Sequence, residues 1–224
     1  MKAVLFDLDG VITDTAKYHF DAWRVLCRNL CMEIDESFNE DLKGVSREES
    51  LNRILRYNKK EAYYSEEEKA ILCKEKNDIY LKLIDSLTPK DILPGIKELI
   101  EELKEKNIKL GIASASKNAP RILQSLCIKD EFDCIVDPAS LSKGKPYPDI
   151  FIEGCKMLEV ESEYCIGIED SYSGIKAINS ANMISIGIGE KSVLKECDYI
   201  VENTKSLNYK LLKDVWNKMN KLSQ

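Results

Sequence analysis

The fold is decided near the start of the chain by Val4-Leu5-Phe6-Asp7-Leu8-Asp9-Gly10-Val11-Ile12-Thr13-Asp14. Its apolar residues run without a break up to the first of two acids, Asp7 and Asp9. A short apolar run of this kind is typical of a strand that is covered on both faces of a parallel sheet. Because open α/β sheets bind ligands just beyond the carboxyl ends of their strands, this stretch predicts a buried strand that leads into an active site.

The spacing of the two acids permits two chemical roles at one place. One carboxylate can attack phosphorus to form an aspartyl phosphate, as in ATPases, while a metal neutralises the phosphoryl oxygens. The other carboxylate can move protons. Asp is also favoured at the start of a loop by turn chemistry alone. The pair Asp7 and Asp9 by itself therefore leaves catalysis and a plain loop start equally open.

Three later segments, together with the first, resemble the signatures of the haloacid dehalogenase superfamily of phosphoryl-transfer enzymes. The four segments are residues 7–15, residues 112–118, Lys145-Pro146 with Pro148-Asp149, and residues 167–171. They follow one another in the expected order, and the resemblance covers essentially the whole chain. Within the superfamily, residues 42–51 and His19 are similar to the β-phosphoglucomutase family. The resemblance implies a Rossmann-like core with an inserted helical cap.

The pattern of elements predicts the same α/β architecture. Strand-like runs alternate with helical patterns in the second half of the chain, which indicates βαβ units and a parallel sheet. The predicted strands are residues 109–113, 134–136, 164–168, 184–188 and, more weakly, 199–201. The predicted helices are residues 94–106, 119–127, 149–158 and 171–181. Residues 16–88 form an all-helical cap, inserted into a core made of residues 1–15 and 89–224, with hinges at residues 13–15 and 88–92.

Composition limits the class of protein. The 224 residues are 44% apolar, and the net charge of −6 and pI near 5.1 give no basic footprint for nucleic acid. No stretch approaches the roughly 20 apolar residues that cross a bilayer. We therefore expect a cytoplasmic monomer with no nucleic-acid or membrane partner, whose anionic substrate is held by local cations and backbone amides.

The eight cysteines are scattered, without a Cys-x-x-Cys pair, and most lie in apolar segments. We expect them to be reduced residues of the core. Cys27 and Cys31 stand at helical i, i+4 spacing and could present two metal ligands. No nearby Cys or His completes a zinc set, so packing is the better interpretation.

A second acid pair, Glu169 and Asp170, also ends an apolar run, so two strand ends could bring four carboxylates together. Two like charges about 4 Å apart repel by about 4 kcal/mol at an effective dielectric of 20, so the cluster needs a cation. Carboxylates with several waters are the usual environment of Mg²⁺. The resemblance implies that Asp7 supplies a side-chain oxygen, Asp9 its backbone carbonyl, and Asp170 with Glu169 the remaining contacts.

Residues 114–118 follow a predicted strand and open a helix, where free N–H groups can cradle an anion. In isolation, ordinary N-capping by Ser116 or Asn118 is an equal interpretation. By resemblance, Ser114 and Ala115 would hold the transferring phosphoryl group, while Ser116, Lys117 and Asn118 would contact the other phosphate of the substrate.

Lys145 is the lysine that matches the family's Lys-Pro pattern, whereas Lys143 does not. We expect Lys145 to face Asp7 and to neutralise charge on the phosphoryl oxygens. The preceding residues 141–144 depart from the alanine-rich version of this loop that is common in relatives, which leaves the loop conformation open.

The cap supplies a second set of candidates. The resemblance implies substrate contacts from Trp23, Gly44, Val45, Ser46, Arg47, Lys76 and Asn77. An arbitrary Arg is more often solvated, but Arg47 could grip a phosphate bidentately. A lone histidine is more often structural, yet His19 lies close to the Thr15 hinge and could position Asp9 as the cap closes. Arg47 and the 116–118 loop would act as two phosphate grips for a ligand that binds in two orientations.

Three functions remain. In the first, a Mg²⁺-dependent mutase interconverts β-D-glucose 1-phosphate and glucose 6-phosphate through phospho-Asp7 and glucose 1,6-bisphosphate, with Asp9 as general acid and base. In the second, a phosphatase of small sugar phosphates uses the same residues with water as acceptor. In the third, the chain is a non-enzymatic phospho-acceptor module. The cap residues Arg47 and His19 favour the mutase, and a phospho-acceptor would need neither Asp9 nor a helical insertion.

Overall fold

The computed structural model describes residues 1–222, and in this part of the chain six parallel strands form one sheet. The strands are β1 (Ala3–Phe6), β2 (Lys109–Ile112), β3 (Cys134–Ile135), β4 (Cys165–Glu169), β5 (Ile184–Ile188) and β6 (Tyr199–Val201). They lie in the order β3-β2-β1-β4-β5-β6. The first strand is therefore central, and the acids that follow it emerge between β2 and β4.

The helices of the described residues fall into two groups. Between β1 and β2 lie α1 (Ala16–Asn29), α2 (Glu36–Asn39), α3 (Arg47–Tyr57), α4 (Glu66–Ile84) and α5 (Ile96–Glu105). After β2 the helices are α6 (Ala119–Ser125), α7 (Asp149–Met157), α8 (Tyr172–Ser180) and α9 (Tyr209–Leu222). None of the described helices is long and apolar enough to cross a membrane. The predicted α/β fold with an inserted helical segment is confirmed, while its domain boundaries stay a prediction.

The burial of β1 explains its unbroken apolar sequence. Val4 and Phe6 belong to the core on one face of the sheet, together with residues of α5, α6 and α9. Ala3 and Leu5 belong to the core on the other face, with residues of α7 and α8. Successive side chains of a strand point to opposite faces, so a strand that is covered on both sides needs apolar residues at every position.

The inserted helices have a core of their own. Trp23 and Leu26 of α1 pack with Leu51 and Ile54 of α3 and with Leu72 of α4. In α1 and α3 these side chains recur at three-residue intervals, so each of these two helices presents one apolar stripe. The helical segment thus buries its own hydrophobic surface beside the sheet.

The two connections between the helical segment and the sheet lie side by side. Thr13 and Ile92 form an isolated antiparallel bridge, and the Thr13 hydroxyl donates a hydrogen bond to the backbone oxygen of Asp91 at 2.7 Å. The amide of Leu93 donates to the backbone oxygen of Ile12 at 2.8 Å. The predicted hinge segments are therefore joined to each other by hydrogen bonds.

The expectation that the cysteines belong to the core was wrong for two of them. All eight are free thiols, but Cys31 and Cys127 are exposed and Cys197 is half-buried. Cys31 follows the end of α1 and Cys127 follows the end of α6, with φ of 52° and 56°. Chain reversal in the left-handed region is common just after a helix, and here it turns both side chains outward.

Candidate active site

A cavity of about 340 Å³ lies at the carboxyl edge of the sheet, between the strand ends and the helical segment. Most of the residues predicted for the site line this cavity: Asp7, Asp9, His19, Trp23, Gly44, Val45, Ser46, Arg47, Lys76, Ser114, Ala115, Ser116, Lys117, Lys145 and Asp170. The other predicted residues do not line it: Asn77, Asn118 and Glu169 are hydrogen-bonded to lining residues, and Thr15 directly precedes one in the chain. One cavity is therefore lined by predicted site residues from both the helical segment and the strand ends.

Asp7 and Glu169 share one buried cation. The Lys145 ammonium donates to Asp7 Oδ1 at 2.6 Å and to Glu169 Oε1 at 2.9 Å. Burial by itself would lower the pKa of Lys145, but the two carboxylates raise it above its usual value. Burial raises the pKa of Asp7 to about 6, against the opposing effect of Lys145. The lysine is therefore held charged beside Asp7, where the sequence predicted it.

Glu169 is held entirely by groups of the protein. Its Oε2 accepts the backbone amides of Asp170 at 2.6 Å and Ser171 at 2.9 Å, and its Oε1 accepts the Ser171 hydroxyl at 3.1 Å. The carboxylate also lies against Gly174, where an added Cβ would stand only 1.8 Å from Oε1. The turn into α8 thus fixes the orientation of Glu169 towards Lys145.

The acids at the two strand ends fit a magnesium site. Asp7, Glu169 and Asp170 each offer a carboxylate oxygen, and these atoms lie within 4.8 Å of one another. Burial raises the pKa of Asp170 well above its ordinary value, and the neighbouring charges of Glu169 and Asp7 add to the shift. A cluster of hard oxygen ligands with excess negative charge is the donor set that Mg²⁺ prefers.

Asp9 lies near enough to Asp7 and Glu169 to feel their charges, and one of its carboxylate oxygens is a free acceptor. Burial and the charge of Asp7 raise the pKa of Asp9 to about 8. Within the described part of the chain, Asp9 Oδ1 is buried without a hydrogen-bond partner. An uncommitted buried carboxylate oxygen next to Asp7 is available to a substrate hydroxyl or a proton.

In the loop after β2, two serine hydroxyls accept hydrogen bonds from backbone amides of the same loop. The Ser116 amide donates to Ser114 Oγ at 3.1 Å, and the Asn118 amide donates to Ser116 Oγ at 3.3 Å. The two serines are buried at the cavity. Asn118 is the N-cap residue of α6, but its side chain makes no capping hydrogen bond. The serines bind amides of their own loop and place two hydroxyl oxygens at the cavity.

Arg47 and Asn118 meet across the cleft. Arg47 Nη2 donates to Asn77 Oδ1 at 2.7 Å, and Asn118 Nδ2 donates to the same oxygen at 2.9 Å. Beside them, Lys117 Nζ pairs with Glu48 Oε1 at 3.1 Å. From the sequence, Arg47 and the 116–118 loop were predicted to be two separate phosphate-binding sites. In the structure they lie together and form one cationic group. Of this group, Arg47 and Lys117 line the same cavity as Asp7.

His19 connects Asp9 to the inside of the helical segment. The Nζ of Lys76 lies 2.6 Å from His19 Nδ1, and His19 Nε2 lies 3.8 Å from Asp9 Oδ2. Burial lowers the pKa of Lys76 to about 7 and holds the pKa of His19 well below its usual value. A neutral imidazole whose Nδ1 accepts from Lys76 carries its proton on Nε2, facing Asp9.

Two residues of this region were missed by the sequence interpretation. Tyr80 is fully buried and stacks on His19 with ring centroids 3.9 Å apart. Its position four residues after Lys76 on α4 was the available signal, because i and i+4 side chains share a helix face. Glu48 pairs with Lys117, and its place directly after Arg47 was the available signal.

The chain resembles known enzymes over nearly its whole length. A model of the haloacid dehalogenase-like hydrolase family matches residues 1–182. The β-phosphoglucomutase of Bacillus subtilis (strain 168) is 50% identical over 216 residues, which are 96% of each chain. The phosphorylated carbohydrates phosphatase of Thermotoga maritima is 29% identical over 185 residues, 82% of each chain. The crystal structure of β-phosphoglucomutase from Clostridium difficile superposes with a TM-score of 0.96 at 48% identity, covering 98% of both chains.

These similarities agree with the geometry of the site. The four sequence segments predicted a parallel sheet, acids at adjacent strand ends and a lysine beside Asp7. The structure has all three features. The chain therefore belongs to the haloacid dehalogenase-like hydrolases and, among them, to the Mg²⁺-dependent β-phosphoglucomutase family.

Proposed function

We propose that this enzyme interconverts β-D-glucose 1-phosphate and glucose 6-phosphate through phospho-Asp7 and a glucose 1,6-bisphosphate intermediate. One observation carries the proposal: Asp7 with Lys145, from the sheet core, and Arg47, from the helical segment, line one cavity, and Asn77 binds both Arg47 and Asn118. A ligand with two phosphoryl groups would place one at Asp7 and the other at Arg47. Turning the ligand over would exchange the two groups.

In the first half of the reaction, the 6-hydroxyl oxygen of β-glucose 1-phosphate attacks the phosphorus atom of phospho-Asp7. Asp9 accepts the hydroxyl proton as the new P–O bond forms, and the bond between phosphorus and Asp7 breaks. The 1-phosphate of the sugar is held meanwhile by Arg47 and Asn118, and the product is glucose 1,6-bisphosphate.

In the second half, the bisphosphate turns over and presents its 1-phosphoryl group to Asp7. The Asp7 carboxylate attacks this phosphorus, the bond to the C1 oxygen breaks, and Asp9 returns its proton to that oxygen. Glucose 6-phosphate leaves, and phospho-Asp7 is restored. Lys145 neutralises charge on the phosphoryl oxygens in both halves.

Magnesium would be held by Asp7, Asp170 and Glu169, with the backbone carbonyl of Asp9, and would supply the charge neutralisation that lets a carboxylate approach an anionic phosphoryl group. Ser114 and Ala115 hold the transferring group from the β2 side. Glu169 also accepts from Lys145 and Ser171, and so it orients Lys145 beside Asp7.

Residues 16–88 act as a cap domain that closes on the core of residues 1–15 and 89–224. Closure keeps water away from the aspartyl phosphate, which would otherwise be hydrolysed. His19, joined to Lys76, positions Asp9 when the cap is closed, and Thr15 lies at the hinge. The cavity is complete within one chain, which supports a monomer, and the free thiols fit the reducing cytoplasm.

A sugar-phosphate phosphatase is the second candidate, favoured by the 29% identity to the Thermotoga maritima enzyme. It would use Asp7 and Asp9 in the same way, with water as acceptor. The cationic group around Arg47 favours the mutase, because hydrolysis needs no grip on a second phosphate. A non-enzymatic phospho-acceptor would need neither Asp9 nor the cap.

The deciding experiment incubates the enzyme with Mg²⁺, β-glucose 1-phosphate and a trace of glucose 1,6-bisphosphate, and follows glucose 6-phosphate and free phosphate in one sample. The mutase gives glucose 6-phosphate with little free phosphate. Phosphate release without glucose 6-phosphate would establish the phosphatase instead. An Asp7→Asn variant serves as the inactive control, since it removes the nucleophile while nearly preserving its shape.

A further inference from the structure

The loop that precedes α3 is bound directly to the first turn of α8. Ser173 Oγ donates a hydrogen bond to the backbone oxygen of Lys43 at 3.1 Å, across 130 residues of sequence. Lys43 and Gly44 lie in the helical segment, whereas Ser173 lies in the sheet core, two residues after the turn that holds Glu169. The bond therefore spans the cleft over the cavity.

Gly44 makes this contact unusually close. It has φ of +71°, and an added Cβ would stand 2.3 Å from Ser171 Oγ and 2.6 Å from Ser173 Oγ. Real Cβ atoms do not approach other atoms so closely, so the backbone of the loop rests on the two hydroxyls themselves. The left-handed conformation and the missing side chain are both features that glycine supplies.

The hydroxyl of one serine donates a hydrogen bond to the catalytic centre, and the hydroxyl of the other donates to the helical segment. The Ser171 hydroxyl donates to Glu169, and the Ser173 hydroxyl donates to Lys43. Their oxygens lie 3.3 Å apart. Because each hydroxyl has a single proton, Ser173 can satisfy either the Lys43 carbonyl or Ser171, and it satisfies the former only while the loop is docked.

Glu169 links this contact to the nucleophile. The same carboxylate that accepts from Ser171 also accepts from Lys145, which in turn donates to Asp7. While the loop is docked, both serine protons are donated elsewhere, so the Ser171 and Ser173 oxygens touch at 3.3 Å without a hydrogen bond between them. Through Ser173, the docked loop therefore contacts the buried chain of hydrogen bonds that runs from Ser171 through Glu169 and Lys145 to Asp7.

We propose that Ser173 is a positioning residue that latches the cap closed over the aspartyl phosphate, through its hydrogen bond to the Lys43 carbonyl. The inference rests on the proposed mutase function and names a residue that contacts neither substrate nor the reacting atoms. By holding Gly44 and its neighbours against α8, the latch keeps water out during transfer.

The hydrogen bond from Asn118 to Asn77 also crosses the cleft between uncharged groups, whereas two further contacts there are ion pairs. Lys117 pairs with Glu48 and Arg121 with Asp85, but all four side chains are about half exposed. Exposed ion pairs contribute little and are screened by salt. The bond from Ser173 is between uncharged groups, so its contribution persists at high ionic strength.

The test compares the wild type with Ser173→Ala, with Ser173→Thr, which keeps a hydroxyl, and with Ser180→Ala, which removes an exposed hydroxyl at the other end of α8. For each protein, the kcat/KM for β-glucose 1-phosphate and the ratio of free phosphate to glucose 6-phosphate are measured at low and high salt. Loss of one hydrogen bond, about 1 kcal/mol, corresponds to about a fivefold change.

We expect Ser173→Ala to lower kcat/KM about fivefold and to raise the phosphate ratio about fivefold at both salt concentrations, since an open cap admits water. Ser173→Thr should recover both values, and Ser180→Ala should match the wild type. Unchanged kinetics in Ser173→Ala would overturn the proposal, and so would a lower kcat/KM with an unchanged ratio, which would mean a local effect on Glu169.

The experiment tests the proposed mutase function and the proposed latch separately. A wild type that releases phosphate without forming glucose 6-phosphate refutes the mutase. In that case the kcat/KM for phosphate release tests the latch, because cap closure assembles the site for either acceptor. A fivefold loss in Ser173→Ala that Ser173→Thr restores supports it, and equal values in all four proteins overturn it.

Discussion

Replacing Lys145 by Met should destabilise the metal-free enzyme far more than replacing Lys143 by Met. Lys145 is 3% exposed and is bonded to two carboxylates, whereas Lys143 is exposed two residues earlier in the same loop. Methionine keeps the length of the side chain and removes only its charge and its donors. The difference in stability between the two variants therefore measures the contribution of the buried ion pairs, separately from the packing of the loop.

The magnitude follows from what Lys145→Met leaves behind. Asp7 and Glu169, both buried, would face each other without a cation, and breaking a buried pair by removing one partner costs about 3–5 kcal/mol. That is a large part of a total stability of about 5–15 kcal/mol. Lys143→Met, at an exposed position, should change the stability by less than about 0.5 kcal/mol.

The loss should also depend on pH in a defined direction. The pKa of Asp7 is about 6 with Lys145 in place, and without that lysine it would be higher. Because the pKa of Asp7 in the native state exceeds its pKa of about 3.9 in an unfolded chain, the native state binds the proton more tightly. The stability of the Lys145→Met variant should therefore rise as the pH falls from 8 to 5.

The assay is urea unfolding in EDTA at pH 8 and pH 5, followed by circular dichroism, for the wild type, Lys145→Met and Lys143→Met. Equal unfolding midpoints for the two variants would refute the buried ion pairs. A deficit in Lys145→Met that is as large at pH 5 as at pH 8 would refute the assignment of the loss to unpaired carboxylates. In the presence of Mg²⁺, the mutase rate of Lys145→Met should fall about 10²- to 10³-fold.

Four further outcomes are expected. Asp7→Asn should abolish glucose 6-phosphate formation and the acid-stable labelling of the protein by a radioactive phosphoryl donor, while its circular dichroism stays that of the wild type; retained turnover would exclude Asp7 as nucleophile. Asp9→Asn should slow transfer about 10²- to 10⁴-fold while metal-dependent phosphate binding persists, because it removes the general acid and base; an unchanged rate would remove Asp9 from that role. Arg47→Ala should weaken the mutase reaction more than hydrolysis of acetyl phosphate, which has no second phosphate to hold; equal losses would make Arg47 structural. EDTA should stop turnover and Mg²⁺ should restore it, because Asp7 and Asp170 otherwise repel the substrate; activity in excess EDTA would contradict the magnesium site.

Local sequence determined the parts of this protein that depend on neighbours along the chain. The apolar run before Asp7 predicted a strand buried on both faces, and it proved to be the central strand of the sheet. The acids after β4 and the serines after β2 were predicted to join Asp7 for the same reason. Parallel strands in one sheet bring their carboxyl ends to a common edge, so strand ends alone place these groups together.

Tertiary structure decided which side chains are buried and which charges meet. Lys76 lies in a lysine-rich helix whose pattern suggests exposure, yet it is buried against His19. Cys31 lies in an apolar stretch, yet chain reversal after α1 exposes it. Arg47 and Asn118 come together only because Asn77 of α4 accepts a hydrogen bond from each of them. Such contacts join residues that are far apart in sequence, and local patterns carry no information about how one packed element faces another.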